Sequence, residues 1–272
     1  MIARFCDNKV NMSGVKAKKH LGQHFLTDKK IAEKIVNGLI HTDQYQQVLE
    51  VGPGMGILSD ILLGRSDLET FLIDIDVESI AFLAAKYPQL GDRLISGDFL
   101  KLDLTSIFKG KFAVIGNFPY NISSQILFKI LEHKDHIVEM VGMFQKEVAE
   151  RCASKSGTKE YGILSVLIQA YYHIDYLFTV KPGTFNPPPK VNSGVIRLSR
   201  NDVSVLPCDE KLFWRTVKGG FNQRRKTLRN ALSGTLPKDK MDNHPFFDKR
   251  AEQLSVEDFI ILTQHLTTLM QP

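Results

Sequence analysis

Three features predict an α/β chain with a helical tail. Short apolar runs alternate with longer amphipathic ones from about Leu26 to Arg200, a glycine turn stands at Gly52-Pro53-Gly54-Met55-Gly56, and the β-branched runs stop at about Val203. The expected architecture is an open, mostly parallel sheet over 26–202, with a basic N-terminal arm at 1–25 and a small helical region at 203–272. The boundary is placed near Asn201 to Leu206. A chain of 272 residues with 43% hydrophobic and 24% charged residues has enough apolar material for a sizeable core, so one large domain or two unequal ones are expected.

The elements follow in order. A helix is expected over about 28–40, with Ile31, Ile35 and Leu39 on one face, followed by a strand in QQVLEVG and a helix in GILSDILLGR. TFLIDID, RLISGD and FAVIGN predict three further strands, and VEMVGMFQ a fifth. KEVAERCA and YGILSVLIQAYY have helical spacing, and YLFTVK with VNSGVIRLSR suggests a closing pair of strands. DEKLFWRTVKGGFNQRRKTLRNALSG and VEDFIILTQHLTTLM are predicted as helices. No internal repeat or low-complexity segment interrupts this order.

Charge and composition narrow the classes of function. Lys and Arg number 35 against 30 Asp and Glu, a formal charge of +5 that suits a polyanionic partner. The three cysteines, Cys6, Cys152 and Cys208, are far apart and lack CxxC spacing, which argues against a disulfide framework or a zinc site and favours a reducing cytoplasm. No apolar run approaches the roughly 20 residues that span a bilayer, and the first ten residues lack the apolar core of a signal peptide. Residues 1–11 carry no pattern, so Met12 is a candidate natural start. The eight histidines show no ligand spacing and no metal is expected.

In an open parallel sheet, ligands bind beyond the carboxyl ends of the strands. Four successive ends carry glycine or polar residues: the turn beginning at Gly52, then Asp74, Asp98 and Asn117. Glycines let the backbone approach a ligand at a helix start. Asp74, 22 residues beyond Gly52, stands where an acid accepts hydrogen bonds from a ribose diol. A glycine turn alone is common, but with two following acids it suggests an adenosine cleft. NAD, FAD and S-adenosyl-L-methionine all fit such a cleft. The dinucleotide fingerprint needs a third glycine at position 57, which is Ile57, and a second acid at Asp98 suits a ligand without phosphate. S-adenosyl-L-methionine is favoured.

FAVIGNFPYNISS, residues 112–124, then acquires a chemical sense. An exocyclic aromatic amine is a poor nucleophile because its lone pair is delocalised into the ring. Two acceptors aimed at its N–H bonds would make the nitrogen more tetrahedral. The Asn117 side-chain oxygen is one candidate and the main-chain carbonyl of Phe118 the other. Pro119 drives residue 118 into an extended conformation and so aims that carbonyl. Tyr120 offers a face on which an extruded base can stack.

These segments resemble a known family. KKHLGQHFLTD, LEVGPGMG, NFPYNISS, FQKEVAER, TFNPPPKVNSGVIRL and FNQRRKTLRN together are similar to the small-subunit ribosomal RNA adenine dimethyltransferases, over nearly the whole chain after Met12. The resemblance implies a class I S-adenosylmethionine-dependent methyltransferase fold, with a mostly parallel seven-stranded sheet and a small helical C-terminal domain. The implied activity is N6,N6-dimethylation of two adjacent adenosines in the 3′-terminal hairpin of 16S rRNA, within the immature small subunit, by a cytoplasmic monomer. It places the cofactor on His24, Leu26, Gly52, Asp74, Asp98 and Asn117, and Phe185 against the far face of the target adenine. Two positions depart from the usual pattern: His24 stands where most members carry Asn, and Phe118 where Leu or Pro is more frequent. A contact at His24 must therefore run through the backbone or through imidazole in place of an amide.

From Lys211 to Ala231 the chain carries Lys211, Arg215, Lys218, Arg224, Arg225, Lys226 and Arg229 with no acid, interleaved with Trp214 and Phe221. A run so unbalanced is expected to be a phosphate track, with Arg224, Arg225, Lys226 and Arg229 as RNA contacts. Lys16, Lys18, Lys19 and His20 would add a mobile arm that folds over cofactor or RNA. Three rivals remain: the related large-subunit rRNA methylases that confer macrolide resistance, disfavoured by FNQRRKTLRN and TFNPPPK; a non-catalytic ribosome-assembly factor, disfavoured by the intact Asn117-Phe118-Pro119-Tyr120; and, more distantly, a nicotinamide oxidoreductase.

Overall fold

A computed structural model of the chain describes residues 15–271. The Met12 start and Cys6 lie outside the described residues. The strands are β1 (Phe25–Leu26), β2 (Gln47–Val51), β3 (Glu69–Asp74), β4 (Leu94–Ser96), β5 (Phe112–Asn117), β6 (Ile137–Gln145), β7 (Tyr172–Val180), β8 (Phe185–Asn186) and β9 (Ser193–Arg200). The α-helices are α1 (Lys29–Val36), α2 (Ser59–Leu62), α3 (Val77–Lys86), α4 (Leu104–Ile107), α5 (Ser123–Glu132), α6 (Lys146–Ala153), α7 (Ile163–Gln169), α8 (Glu210–Asn222), α9 (Leu228–Ala231) and α10 (Val256–Met270).

Among the described residues, seven strands form one sheet in the order β4-β3-β2-β5-β6-β9-β7. Neighbours from β4 through β6 run parallel, while β9 pairs antiparallel with β6 and with β7. Both sheet faces are covered, so the central strands are continuous apolar runs rather than alternating ones. Leu49, Val51 and Val114 point into one cluster, and Val48, Ala113 and Ile115 into the other. The first cluster continues without a break into Phe213, Val217, Phe259 and Leu262 of the C-terminal helices.

The strand order reverses between β2 and β5, where ligands of such sheets bind. There Glu50 pairs with Ile115, so Gly52 and Asn117 leave the sheet side by side. A separate two-stranded ribbon pairs Phe25 with Asn186 and Leu26 with Phe185, setting His24 at the mouth of that crevice. Among the described residues, no helix is long and apolar enough to cross a membrane.

Several boundaries differ from expectation. The first helix stops at Val36, where Asn37 and Gly38 close it with 3.0 Å or shorter bonds to Glu33 and Ile35 carbonyls. The glycine turn extends to Leu58, so α2 is a short helix from Ser59. YGILSVLIQAYY is helical only to Gln169, because Tyr172 begins β7 opposite Arg200. The long basic segment is not one helix: α8 ends at Asn222, and Gln223 to Thr227 form a turn before α9. Arg224, Arg225 and Lys226 therefore project from a bend.

Candidate active site

The largest feature at the carboxyl ends of the parallel strands is a cleft between two walls. One wall is Leu21 to Phe25, and the other is Asn117 to Ile122; Gly52, Gly54, Asp74, Gly97 and Asp98 form its floor. Of the sequence-predicted residues, the cleft brings together His24, Gly52, Asp74, Asp98, Asn117, Phe118 and Tyr120. Leu26 is not among its lining. Its side chain is 4% exposed and packs into the core, because the pairing with Phe185 turns both side chains inward. Phe185 is likewise buried among Leu26, Val180 and Val195, and offers no stacking face to the cleft.

The floor suits an adenosine ligand without phosphate. Gly52 has φ +70°, and a Cβ built there would stand in the cleft 3.9 Å from the Pro119 ring, so only glycine leaves the space open. Asp74 accepts N–H bonds from Asp76 (2.9 Å) and Gly54 (3.3 Å), which hold its carboxylate at the strand end. Burial raises its pKa, and those N–H groups offset the rise only in part. Asp98 accepts from Leu100 N–H through one oxygen at 2.9 Å, and its other oxygen is 3.8 Å from the exposed Lys101 ammonium. Sequence reasoning missed the apolar walls, Ile75 and Phe99. Ile75 is 54% exposed between two acids, and its signal was an apolar residue just past a strand end.

Glu50, beneath the glycine turn, was also missed. It is 1% exposed and accepts a 2.6 Å bond from the Ser59 hydroxyl. Burial pushes its carboxyl up to about 8 against that bond.

The N-terminal wall is tied down. The Lys18 ammonium lies 2.5 Å from Asp76, and the Gln23 amide donates to the other Asp76 oxygen at 3.2 Å. Burial opposes ionisation of Asp76, but the bonds from Lys18, Gln23 and Glu78 N–H hold its carboxyl below the ordinary range.

Asn117 is oriented by a contact 93 residues away. Its Nδ2 donates to the His24 main-chain carbonyl at 2.8 Å. A carbonyl only accepts, so the nitrogen must face His24 and the Asn117 oxygen is left for the cleft. His24 therefore acts on Asn117 through its backbone, a role indifferent to whether the side chain is His or Asn. Its ring Nδ1 lies 2.8 Å from the Pro187 carbonyl and so carries the proton.

Phe118 contributes only its main chain to the cleft. Its ring is 1% exposed and lies against Gly116 and Gly142, which face each other across β5 and β6, with the Phe144 ring 4.9 Å away. A Cβ at Gly116 would come within 2.9 Å of that ring. The two glycines form the slot that admits Phe at this position. Tyr120 lies further along the same wall, its hydroxyl 2.5 Å from Ser193 Oγ and its ring centroid 5.5 Å from that of His24.

The basic segment divides into two classes. Arg224 donates to the Thr158 carbonyl at 3.2 Å and lies 3.9 Å from Glu252. Arg229 pairs with Asp248 at 3.4 Å, donates to the Met241 and Asp242 carbonyls, and sits 5.4 Å from the Phe247 ring centre. The acids missing from the local sequence come from about 20 to 30 residues on. By contrast, Arg225 and Lys226 are exposed, and among the described residues no carboxylate lies within 4 Å of either, nor of Lys211, Arg215 or Lys218. The Lys218 ammonium stands 5.2 Å from the Trp214 ring and 5.7 Å from Phe128.

Comparison with known proteins adds to this geometry. A family model described as ribosomal RNA adenine dimethylase matches residues 14–267. The chain is 59% identical to the ribosomal RNA small subunit methyltransferase A of Cytophaga hutchinsonii, over 94% of this chain and 99% of that one. It is 56% identical to the protein of the same name from Flavobacterium johnsoniae, over 94% and 97%. Among solved structures, a dimethyladenosine transferase from Plasmodium falciparum superposes with a TM-score of 0.75 at 26% identity, covering 90% of this chain and 98% of that one. The 23S rRNA methyltransferase ErmE shares the fold, with a TM-score of 0.65 at 22% identity over 88% and 99% of the two chains.

Proposed function

Since the chain belongs to the ribosomal RNA adenine dimethylase family, we propose that it transfers methyl groups from S-adenosyl-L-methionine to N6 of two adjacent adenosines in the 3′-terminal hairpin of small-subunit rRNA. The substrate would be the immature small subunit in the cytoplasm, and the working unit a monomer. The observation that carries this is the Asn117 amide, whose nitrogen is committed to His24 and whose oxygen is thereby committed to the cleft.

Gly52, Asp74 and Asp98 would hold the cofactor, with Asp74 on the ribose diol, Asp98 on the adenine amino group, and Ile75 and Phe99 as apolar walls. When bound there, the cofactor supplies a methyl group already activated on a cationic sulfonium. The protein's part is to prepare the amine. The Asn117 oxygen and Phe118 carbonyl accept its two N–H bonds, which favours the tetrahedral geometry of attack and disfavours delocalisation into the ring. Tyr120 presents its ring to the extruded base. The amine proton that methylation makes surplus would leave to water, with no side chain needed as base. Arg225 and Lys226, projecting from the bend, would contact phosphate, with Lys211, Arg215 and Lys218 continuing along α8. Arg229 would brace the C-terminal helices, and Arg224 would tie the bend to the α6–α7 loop through Thr158.

The test is transfer of labelled methyl to small subunits from cells lacking the protein. Dimethylation of two adjacent adenosines, four methyl groups per rRNA, is the expected outcome. No incorporation, or incorporation only into large subunits, would overturn the assignment.

A further inference from the structure

The segment joining β8 to β9 touches the target-base wall at two points. The Pro187 carbonyl anchors the His24 ring, and Ser193, the first residue of β9, meets the Tyr120 hydroxyl at 2.5 Å. Ser193 is fully buried and is held in the sheet between Gln145 and Val180. Tyr120 is therefore fixed at both ends: its main chain by the turn that follows Pro119, and its hydroxyl by a strand 73 residues away. Among the described residues, no other side chain bonds to that hydroxyl.

We propose that Ser193 is a positioning residue that locks the Tyr120 ring as the platform for the target adenine, and that this lock governs the second methyl transfer more than the first. The inference rests on the dimethylase reading above. Its logic is a count of donors. An unmodified N6 amine has two N–H bonds, one for the Asn117 oxygen and one for the Phe118 carbonyl. After one methyl transfer it has a single N–H left, so one of the two acceptors loses its partner. The hold on the monomethylated base then depends more heavily on the stack, and a ring free to swing loses the near-attack geometry at that step.

The experiment follows mono- and dimethyladenosine by nucleoside mass spectrometry in single turnovers on undermethylated small subunits. Ser193→Ala should slow the second transfer about 10-fold and the first about 2-fold or less, the scale of one lost hydrogen bond. Monomethyladenosine should accumulate. Tyr120→Phe keeps the ring and removes the same bond from the other side, so it should give the same accumulation even if Ser193→Ala folds poorly. The double variant should be no worse than Tyr120→Phe alone. Equal slowing of both transfers, additive losses in the double variant, or a wild-type time course for both single variants would overturn the proposal. A wild-type protein that methylates nothing would instead sink the dimethylase reading itself.

Discussion

The two halves of the cleft are built on different principles. The cofactor half is local: Gly52 and Gly54 follow β2, Asp74 closes β3, Asp98 follows β4, and the hydrogen bonds to each acid come from N–H groups within its own turn or the neighbouring one. The base half is assembled at long range: Asn117 leans on His24, Tyr120 on Ser193, and His24 on Pro187. A ligand-binding floor can thus be encoded in strand ends, whereas a chemically demanding wall needs struts from distant segments.

The sharpest way to separate the halves is Asn117→Ala. Losing an acceptor that matters most in the transition state should cut the single-turnover rate about 10²–10³-fold, by analogy with removal of one oxyanion-hole group. Subunit affinity, measured alongside, should be nearly unchanged. Equal losses in both would make Asn117 a structural residue.

Asp74→Ala strikes the other half. Loss of a charged acceptor costs about 1.5–3 kcal/mol, so calorimetry should show cofactor affinity weakened by about 10- to 150-fold with the melting temperature little changed. Unchanged affinity would move the ribose elsewhere.

The bend after α8 supplies a third contrast. Replacing Arg225 and Lys226 together should lower the slope of log affinity against log salt by roughly 0.7–0.9 for each phosphate that is no longer neutralised. Arg229→Ala should leave the slope alone and lower the melting temperature by about 2–4 °C, for a partly shielded ion pair and ring contact together worth about 1 kcal/mol. Swapped outcomes would reverse the division between track and brace.

The last contrast concerns Glu50, whose carboxyl burial raises to about 8. The unfolded chain releases that proton near the ordinary carboxylate range, so the folded state holds more protons between the two values. Stability should therefore fall as pH rises from about 4.5 to 8. Glu50→Gln should flatten this part of the profile in thermal melts at several pH values; a slope identical to wild type would mean that the group is ionised when folded.

Much of the cofactor half was legible in sequence because parallel strands buried on both faces appear as apolar runs, and their ends appear as the glycines and acids that interrupt them. Tyr172 misled because an aromatic suits either the end of a helix or the start of a strand, and its pairing with Arg200 decided the matter. The ion-pair partners of Arg224 and Arg229, Glu252 and Asp248, were not legible because they lie beyond any local window. Phe185 was expected in the site, but the β1–β8 ribbon buries it, and a two-stranded ribbon of two residues each carries no period to detect. Ser193 belonged to a recognised motif without an assigned task, because its partner is 73 residues earlier.

The Phe118 slot bears on how this chain could be altered. The ring rests on Gly116 and Gly142, one from each of two adjacent strands, so the identity of residue 118 is tied to two positions that never meet a ligand. A library that varies 118 alone would sample side chains smaller than the slot and leave a void. One that adds a methyl at 142 would evict the ring and redirect a carbonyl in the cleft. In an engineered or drifting lineage the three positions form a single unit of inheritance, and a substitution hidden in the middle of β6 would register as a defect in chemistry.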